Sequence, residues 1–344
     1  MRRFFLLLAL LLPISAYASN TITADSYLLI EKDSLAVISG KDYHRPLPPA
    51  STTKVMTTIL ALEKLNGQEK IVPPRQVLSI PASKLSLCPG REYKAMDLIS
   101  GAMVESANDA AYTLAVAIAG SEERFADMMN AKAKEIGAYN THFLNASGLY
   151  VPGHYTTAYD LALIFRYALQ NPQFQEIATT KYFLFNNGNA DIRYRNHNRL
   201  LHCFAPSLGG KTGFTRASRH TYVGAFEKDG KVYILSFLGS RNIWGDAVAI
   251  LQDIFDDVPT LGEIAQARGG SVVISAHGIE NASYKTKRGR WVSYRKKVSH
   301  KGRRASYKAS EVSYKVKTDR KQKRCHTKTS VNKSHKGKRR THRA

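Results

Sequence analysis

Along residues 54–65 the apolar positions Val55, Met56, Ile59, Leu60, Leu62 and Leu65 recur three and four apart, the period of a helix that buries one face. Prolines at 46, 48 and 49 end the extended chain before it, because proline donates no ladder hydrogen bond and turns the preceding residue away from helix. The helix therefore starts at Ser51. Upstream, SYLLIEKDSLAVISG holds two β-prone runs around Lys32-Asp33-Ser34 and reads as a hairpin. Helical spacing returns over residues 96–137, with breaks between Glu105 and Asp109 and at Gly120, and again over 156–170. Past Lys211 the period changes to two. HTYVGAF and KVYILSFLG flank Lys228-Asp229-Gly230 as a second hairpin, and an amphipathic helix follows from Gly245 to Phe255. Strands at both ends with helices between them predict an α+β fold, an antiparallel sheet joined by both ends of the folded region and flanked by helices. Pro259, Gly262 and Gly269-Gly270 interrupt any periodicity after residue 257, so 258–282 is predicted to be a linker.

Composition changes this picture at the two ends. The 344 residues are 43% hydrophobic, enough for a globular core, but the net charge is +24. Residues 281–344 carry 24 of the 51 basic side chains against Glu311 and Asp319, a net of +22, which leaves +2 for residues 1–280. A Ser-Tyr-basic triplet recurs there at Ser283, Ser293, Ser306 and Ser313 with irregular intervals, which argues against a solenoid. Such like-charge density cannot bury a core, and residues 283–344 are predicted to be a disordered basic tail. At the other end Arg2 and Arg3, the apolar run Phe4 to Leu12, Pro13 and Ala16-Tyr17-Ala18 have the layout of a signal peptide over 1–18. The run is too short to span a bilayer, and no later stretch is long enough. The expected location is outside the cytoplasm, in a periplasm or on the outer face of the cytoplasmic membrane. Of three cysteines, Cys88, Cys203 and Cys325, the first two could pair after export, although idle thiols are the simpler expectation. No spacing suggests a metal or cofactor site.

The chemistry begins with PPASTTKVMT. Ser51 and Lys54 stand one helical turn apart and share a face. A serine hydroxyl needs a base before it attacks, and a lysine made neutral by desolvation or by a neighbouring cation can be that base. The helix N-terminus adds N–H groups near developing negative charge. Alone the spacing says little: it recurs at Ser293 and Lys296 and at Ser330 and Lys333, and a serine here is ordinarily a helix cap. Two further clusters change the balance. VESANDAA places Ser106 and Asn108 between helical segments, and LGGKTGFT places Lys211-Thr212-Gly213 at the start of a strand, where Gly213 admits a ligand backbone and Lys211 and Thr212 offer a cation and a hydroxyl to a carboxylate.

In that order, Ser-x-x-Lys, Ser-x-Asn and Lys-Thr-Gly form the signature of penicillin-binding proteins and class A β-lactamases. With FADMMNAKAKEIGAYNTHFLNASGL and TTAYDLALI, the chain resembles the low-molecular-mass D-alanyl-D-alanine carboxypeptidases typified by penicillin-binding protein 5, over residues 25–257. The resemblance implies a β-lactamase/DD-peptidase-like fold with a catalytic domain over 19–257. It also implies that Ser51 attacks between two D-alanines of a peptidoglycan stem peptide, with Lys54 as base, Ser106 passing a proton to the leaving amine and Asn108 holding Lys54. Lys211 and Thr212 would meet the substrate carboxylate, with Arg241 near it, and Lys211 would keep Lys54 neutral. The N–H groups of Ser51 and Phe214 would form the oxyanion hole.

Two departures matter. Ala110 and Ala111 follow Asp109 where relatives often have Ala-Cys, which leaves the mechanism intact. After residue 257 no β-rich second domain or amphipathic membrane helix is visible. The tail is expected to replace that helix by electrostatic binding to anionic lipid or cell-wall polymer, each engaged basic side chain contributing about 1 kcal/mol near an anionic bilayer. Export makes nucleic acid an improbable partner. No glutamate lies between Asn140 and Phe174 to activate a deacylating water, so a β-lactam is expected to acylate Ser51 and stay. An endopeptidase cutting D-alanyl cross-links would use the same residues. An inactive envelope-binding polycation is the alternative from another class, and the intact motif residues argue against it.

Overall fold

The expected N-terminal hairpin is present as β1 (Ser26–Glu31) and β2 (Val37–Lys41). It joins β9 (Lys231–Ser240), which pairs with β8 (Arg219–Lys228), which pairs with β7 (Ser207–Thr215). The resulting antiparallel sheet has the order β2-β1-β9-β8-β7. The computed structural model describes residues 21–188 and 190–274, and the backbone of 281–285 and 291–295.

β1 shows why the sheet is central. Leu28 and Ile30 face one core and Leu29 the other, so the strand is apolar on both faces rather than alternating. On the larger side pack α1 (Lys54–Lys64), α2 (Ala95–Val104), α3 (Asn108–Ala119), α4 (Glu122–Ile136), α5 (Ala158–Ala168) and α6 (Pro172–Thr179). On the other lie α7 (Leu200–Cys203), α8 (Ile243–Leu251) and α9 (Leu261–Gln266), with Phe204, Phe226, Phe237, Phe255 and Ile264 buried between. Each such side chain contributes about 1.5–3 kcal/mol. Local signals set the helix ends: Ser121, Thr157 and Asn171 accept backbone N–H bonds at their starts, and Gly137 closes α4 at φ +90. A two-residue ladder joins β3 (Lys70–Ile71) to β4 (Tyr93–Lys94).

A second sheet departs from the sequence reading. β5 (Tyr182–Asn186) and β6 (Asp191–Arg195) form a hairpin before Lys211, and β10 (Val272–Ile274) pairs with β6. The backbones of β11 (Asn281–Lys285) and β12 (Trp291–Arg295) extend it in the order β12-β11-β10-β6-β5. The segment expected as a linker thus carries α9 and β10, and the first part of the expected disordered tail carries two strands. Thr260 and Glu263 form a reciprocal capping box that starts α9, and Val273 faces Ile192 across the ladder, so residues with no local period acquire structure from distant partners. The expected leader over 1–18 and the rest of the tail lie outside the described residues. Cys88 and Cys203 are not bonded to each other: their thiols face the carbonyls of Asn187 at 3.7 Å and Arg199 at 3.3 Å. Among the described residues no helix is long and apolar enough to cross a membrane.

Candidate active site

Ala50–Thr53 forms a 3-10 turn that runs straight into α1. The Pro49 carbonyl accepts from both Thr52 Oγ1 and Thr221 Oγ1 at 2.7 Å, tying the turn to β8. No side-chain capping bond is made at this helix start, so Ser51 does not serve as the cap. Its hydroxyl instead meets Lys54 Nζ at 3.0 Å.

Lys54 is wholly buried. Besides Ser51, its Nζ has two partners, Asn108 Oδ1 and the Ser147 carbonyl, each at 2.7 Å. Burial, then the charge of Lys211, push its pKa well below that of an ordinary lysine, against weaker opposing effects of Asp109 and Glu122. A neutral amine has two N–H donors and one lone pair. Both carbonyl partners are acceptors only, so they take the two N–H groups and leave the lone pair for the Ser51 hydroxyl proton. The buried lysine is thereby held as an oriented base.

α2 and α3 deliver the second cluster. Between them Ser106 adopts φ +63, a left-handed conformation rare for a side-chain-bearing residue and the kind of strain that functional sites retain. The bend puts Ser106 and Asn108 on the same cavity. Asn108 Nδ2 donates to the carbonyls of Pro81 and Ala82 at 3.1 Å, which fixes its oxygen toward Lys54. Neighbouring Asp109 anchors the loop above the site by accepting the N–H groups of Leu85 and Leu87.

β7 brings the third cluster. Lys211 is also buried, its Nζ donating to Ser106 Oγ and the Thr212 carbonyl at 2.9 Å. Burial lowers its pKa to about 7, opposed by Glu105. It faces Ser106, whereas Thr212, Gly213 and Phe214 line the cavity. Gly213 is required for a reason other than ligand approach. A Cβ there would stand 2.8 Å from Ser51 N and 2.3 Å from Thr221 Oγ1, so the glycine lets β7 lie against the Ser51 turn itself. The Ser51 N–H thus borders β7 next to Phe214, where the expected oxyanion donors would stand. Arg241 is exposed where the chain leaves β9 for α8, its backbone N–H bonded to Thr23 Oγ1 at 3.0 Å; it is not among the residues that line the cavity, whereas Arg199 is.

The cavity holds about 370 Å³, and its wall includes His197, Arg199, Gly148 and Trp244, none of them marked by a motif. The Ser147 carbonyl was also missed. A main-chain acceptor carries no residue signature, although ASGL contains the glycine that permits it: a Cβ at Gly148 would lie 1.7 Å from the Ala50 carbonyl oxygen. Asn145 Oδ1 accepts the N–H groups of Ser147 and Gly148, and Glu122 accepts that of Ala146. Buried His154 braces the same loop, its Nδ1 accepting from Leu144 N–H and its Nε2 bonded to Thr53 Oγ1 at 3.1 Å. Among the described residues no cluster of three or more His, Cys, Asp or Glu forms a metal site.

Residues 14–242 match the profile of the D-alanyl-D-alanine carboxypeptidase peptidase family. The chain belongs to this family. A D-alanyl-D-alanine carboxypeptidase of Mycobacterium tuberculosis, DacB2, is 34% identical over 235 residues, 66% of this chain and 80% of the relative. DacC of Escherichia coli is 31% identical over 68% of this chain, which spans less than two thirds of that relative, 62%. The crystal structure of a D-alanyl-D-alanine carboxypeptidase from Mycobacterium tuberculosis superposes with a TM-score of 0.64 at 32% identity, over 69% of this chain and 94% of that one. The α+β fold is that of the DD-peptidases. In this family member the three sequence clusters converge on one cavity: Ser51, Ser106, Asn108, Thr212, Gly213 and Phe214 line it, with Lys54 and Lys211 buried behind.

Proposed function

We propose that this protein is a serine-type D-alanyl-D-alanine carboxypeptidase that removes the terminal D-alanine from peptidoglycan stem pentapeptides. The observation that carries the reading is the position of Lys54 Nζ, 2.7 Å from two oxygens that can only accept, Asn108 Oδ1 and the Ser147 carbonyl, and 3.0 Å from Ser51 Oγ, which leaves the lone pair of a neutral amine for the Ser51 proton.

Lys54 takes the Ser51 proton as Oγ bonds to the carbonyl carbon between the two D-alanines. The oxyanion forms where the N–H groups of Ser51 and Phe214 converge, and one such donor contributes about 10² to 10³ in rate. The C–N bond breaks as the proton on Lys54 reaches the leaving amine through Ser106, whose oxygen is fixed by Lys211. Thr212 and Arg199, on the cavity wall, bind the terminal carboxylate. Water then attacks the acyl-enzyme, with Lys54 again the base, and the shortened peptide leaves. Penicillin acylates the same Ser51 oxygen and is retained, because among the described residues no glutamate lines the cavity to activate a water, and Glu122, whose charge acts on Lys54, is engaged with Ala146 N–H. The leader pattern would deliver the enzyme outside the cytoplasm, where this substrate lies.

Mass spectrometry of purified pentapeptide monomers and cross-linked dimers, after incubation with the protein or with Ser51→Ala, tests the proposal. Monomers should lose one alanine only when Ser51 is present. Conversion of dimers to monomers would move the assignment to an endopeptidase, and no change in either would overturn it.

A further inference from the structure

The folded unit gathers cations around Tyr182 of its second sheet. On β6, Arg193 and Arg195 point to the same side, opposite Leu184 and Tyr182 of β5. Both guanidiniums lie against the Tyr182 ring, 5.2 and 5.5 Å from its centre. Lys181 precedes that tyrosine, Arg199 stands just before α7, and Arg268 follows α9. None of these five is ion-paired with a carboxylate among the described residues. Arg195 is satisfied by neutral oxygens alone, the Tyr182 hydroxyl and the Ala267 carbonyl, each at 2.6 Å. The carboxylate on the same strand face, Asp191, is held by Asn186.

The cluster is close enough to feel itself. Burial first, then Arg268 and Arg195, lower the pKa of Arg199, and His202 is held down to about 4 by burial, Arg195 and Lys181. Residues 1–280 carry a net charge of only +2, so this concentration is local. Like charges held together without counter-charges repel, and a folded chain retains them where an anion supplies the missing partner. Tyr182 and Leu184 stay 49% and 62% exposed among these cations, offering an apolar surface for the ring faces of a sugar.

Arg199 joins the two places: it lines the catalytic cavity and stands at the start of α7, whose His202 ring packs against Tyr182 with centroids 5.6 Å apart. A polymer strand that leaves the cavity past Arg199 therefore has the cations gathered around Tyr182 as neighbours: Arg193 and Arg195 on its ring, Lys181 before it, and Arg268 beside the Ala267 carbonyl that Arg195 bonds. We propose that this face is a docking surface for the peptidoglycan strand itself, binding the carboxylates of stem peptides neighbouring the one being cut. This inference rests on the proposed function and names the form of the substrate, an acidic polymer in preference to a free peptide.

The test uses the full chain and Lys181→Gln/Arg193→Gln/Arg268→Gln, three exposed positions outside the cavity. Both proteins are assayed on a small diacylated lysyl-D-alanyl-D-alanine peptide and on soluble glycan strands of several pentapeptide repeats, at low and high salt. The small peptide should be cut equally by both. On strands the variant's KM should rise about tenfold at low salt, and the gap should close at high salt. Equal kinetics on strands, or equal losses on both substrates, would overturn the inference.

Hydrogen exchange of the full chain with strands already trimmed to tetrapeptides provides a readout independent of turnover, with slowed exchange expected in β5 and β6. Absence of that slowing, or slowing by inorganic polyphosphate but not by the strands, would also overturn it. Failure of the unmodified protein on both cleavage substrates would instead refute the proposed function.

Discussion

Asn108→Asp isolates the electrostatic state of Lys54 from its geometry. The substitution keeps an oxygen acceptor in place 2.7 Å from Nζ but gives it charge. With the charge shared over two carboxylate oxygens the separation averages about 4 Å, and at an effective dielectric constant of about 20 the attraction is about 4 kcal/mol. That energy favours the ammonium form and corresponds to about three pH units. In the unmodified protein burial and Lys211 keep Lys54 neutral, and acylation is lost only as pH falls through its depressed pKa. In the variant the limb should appear about three pH units higher by the same conversion, so that acylation at pH 7 nearly vanishes and returns on alkalinisation. The assay is the second-order rate of labelling by a fluorescent penicillin between about pH 6 and 10, a range set by ordinary lysine and histidine titration. The variant also loses two N–H donors to Pro81 and Ala82, which costs about 1–3 kcal/mol of stability. Asn108→Ala, which loses those donors without adding charge, is the control. A variant limb that coincides with that of the unmodified protein, or an equal displacement in Asn108→Ala, would refute an oriented neutral lysine.

Gly213→Ala should slow penicillin labelling at least tenfold and destabilise by about 1–3 kcal/mol, read as rate and Tm, because its Cβ would meet Ser51 N and Thr221 Oγ1. His154 is 97% buried and its pKa is lowered from 6.5 to about 4. It is neutral in the fold but protonated in the unfolded chain at intermediate pH, so its contribution is intact above pH 6.5 and shrinks by about 3 kcal/mol as pH falls to about 4. Tm of His154→Gln should be correspondingly flatter over that window.

How far the sequence reveals this protein depends on whether a feature is local. The hairpins at Lys32-Asp33-Ser34 and Lys228-Asp229-Gly230, and the helix breaks at Ser106 and Gly120, are marked by neighbouring residues, and each has its counterpart in the fold. The second sheet is not local: Val273 meets Ile192, and neither strand has a period long enough to stand out. Thr260 and Glu263 did mark the start of α9 inside the expected linker, a capping signal obscured by the glycines around it. At the site the three clusters give every reactive side chain, since those roles demand particular functional groups. They do not give the Ser147 carbonyl, because any residue supplies one. Nor do they give Arg199, whose place is decided by a short helix and not by its neighbours in sequence.

The pairing of β1 with β9 sets the order in which this molecule comes to life. Ser26 lies opposite Leu238, so the central sheet stays open until nearly all of the catalytic unit has emerged. The α1 segment bearing Ser51 and Lys54 is made early, but Lys211 reaches it on β7, which is held through β8 and β9 to β1. Before that closure Lys54 is hydrated and charged, and Ser51 is an ordinary alcohol. On the proposed function, a chain still emerging, or stalled halfway, would carry the reacting residues yet be inert toward penicillin, and covalent labelling would count only finished molecules.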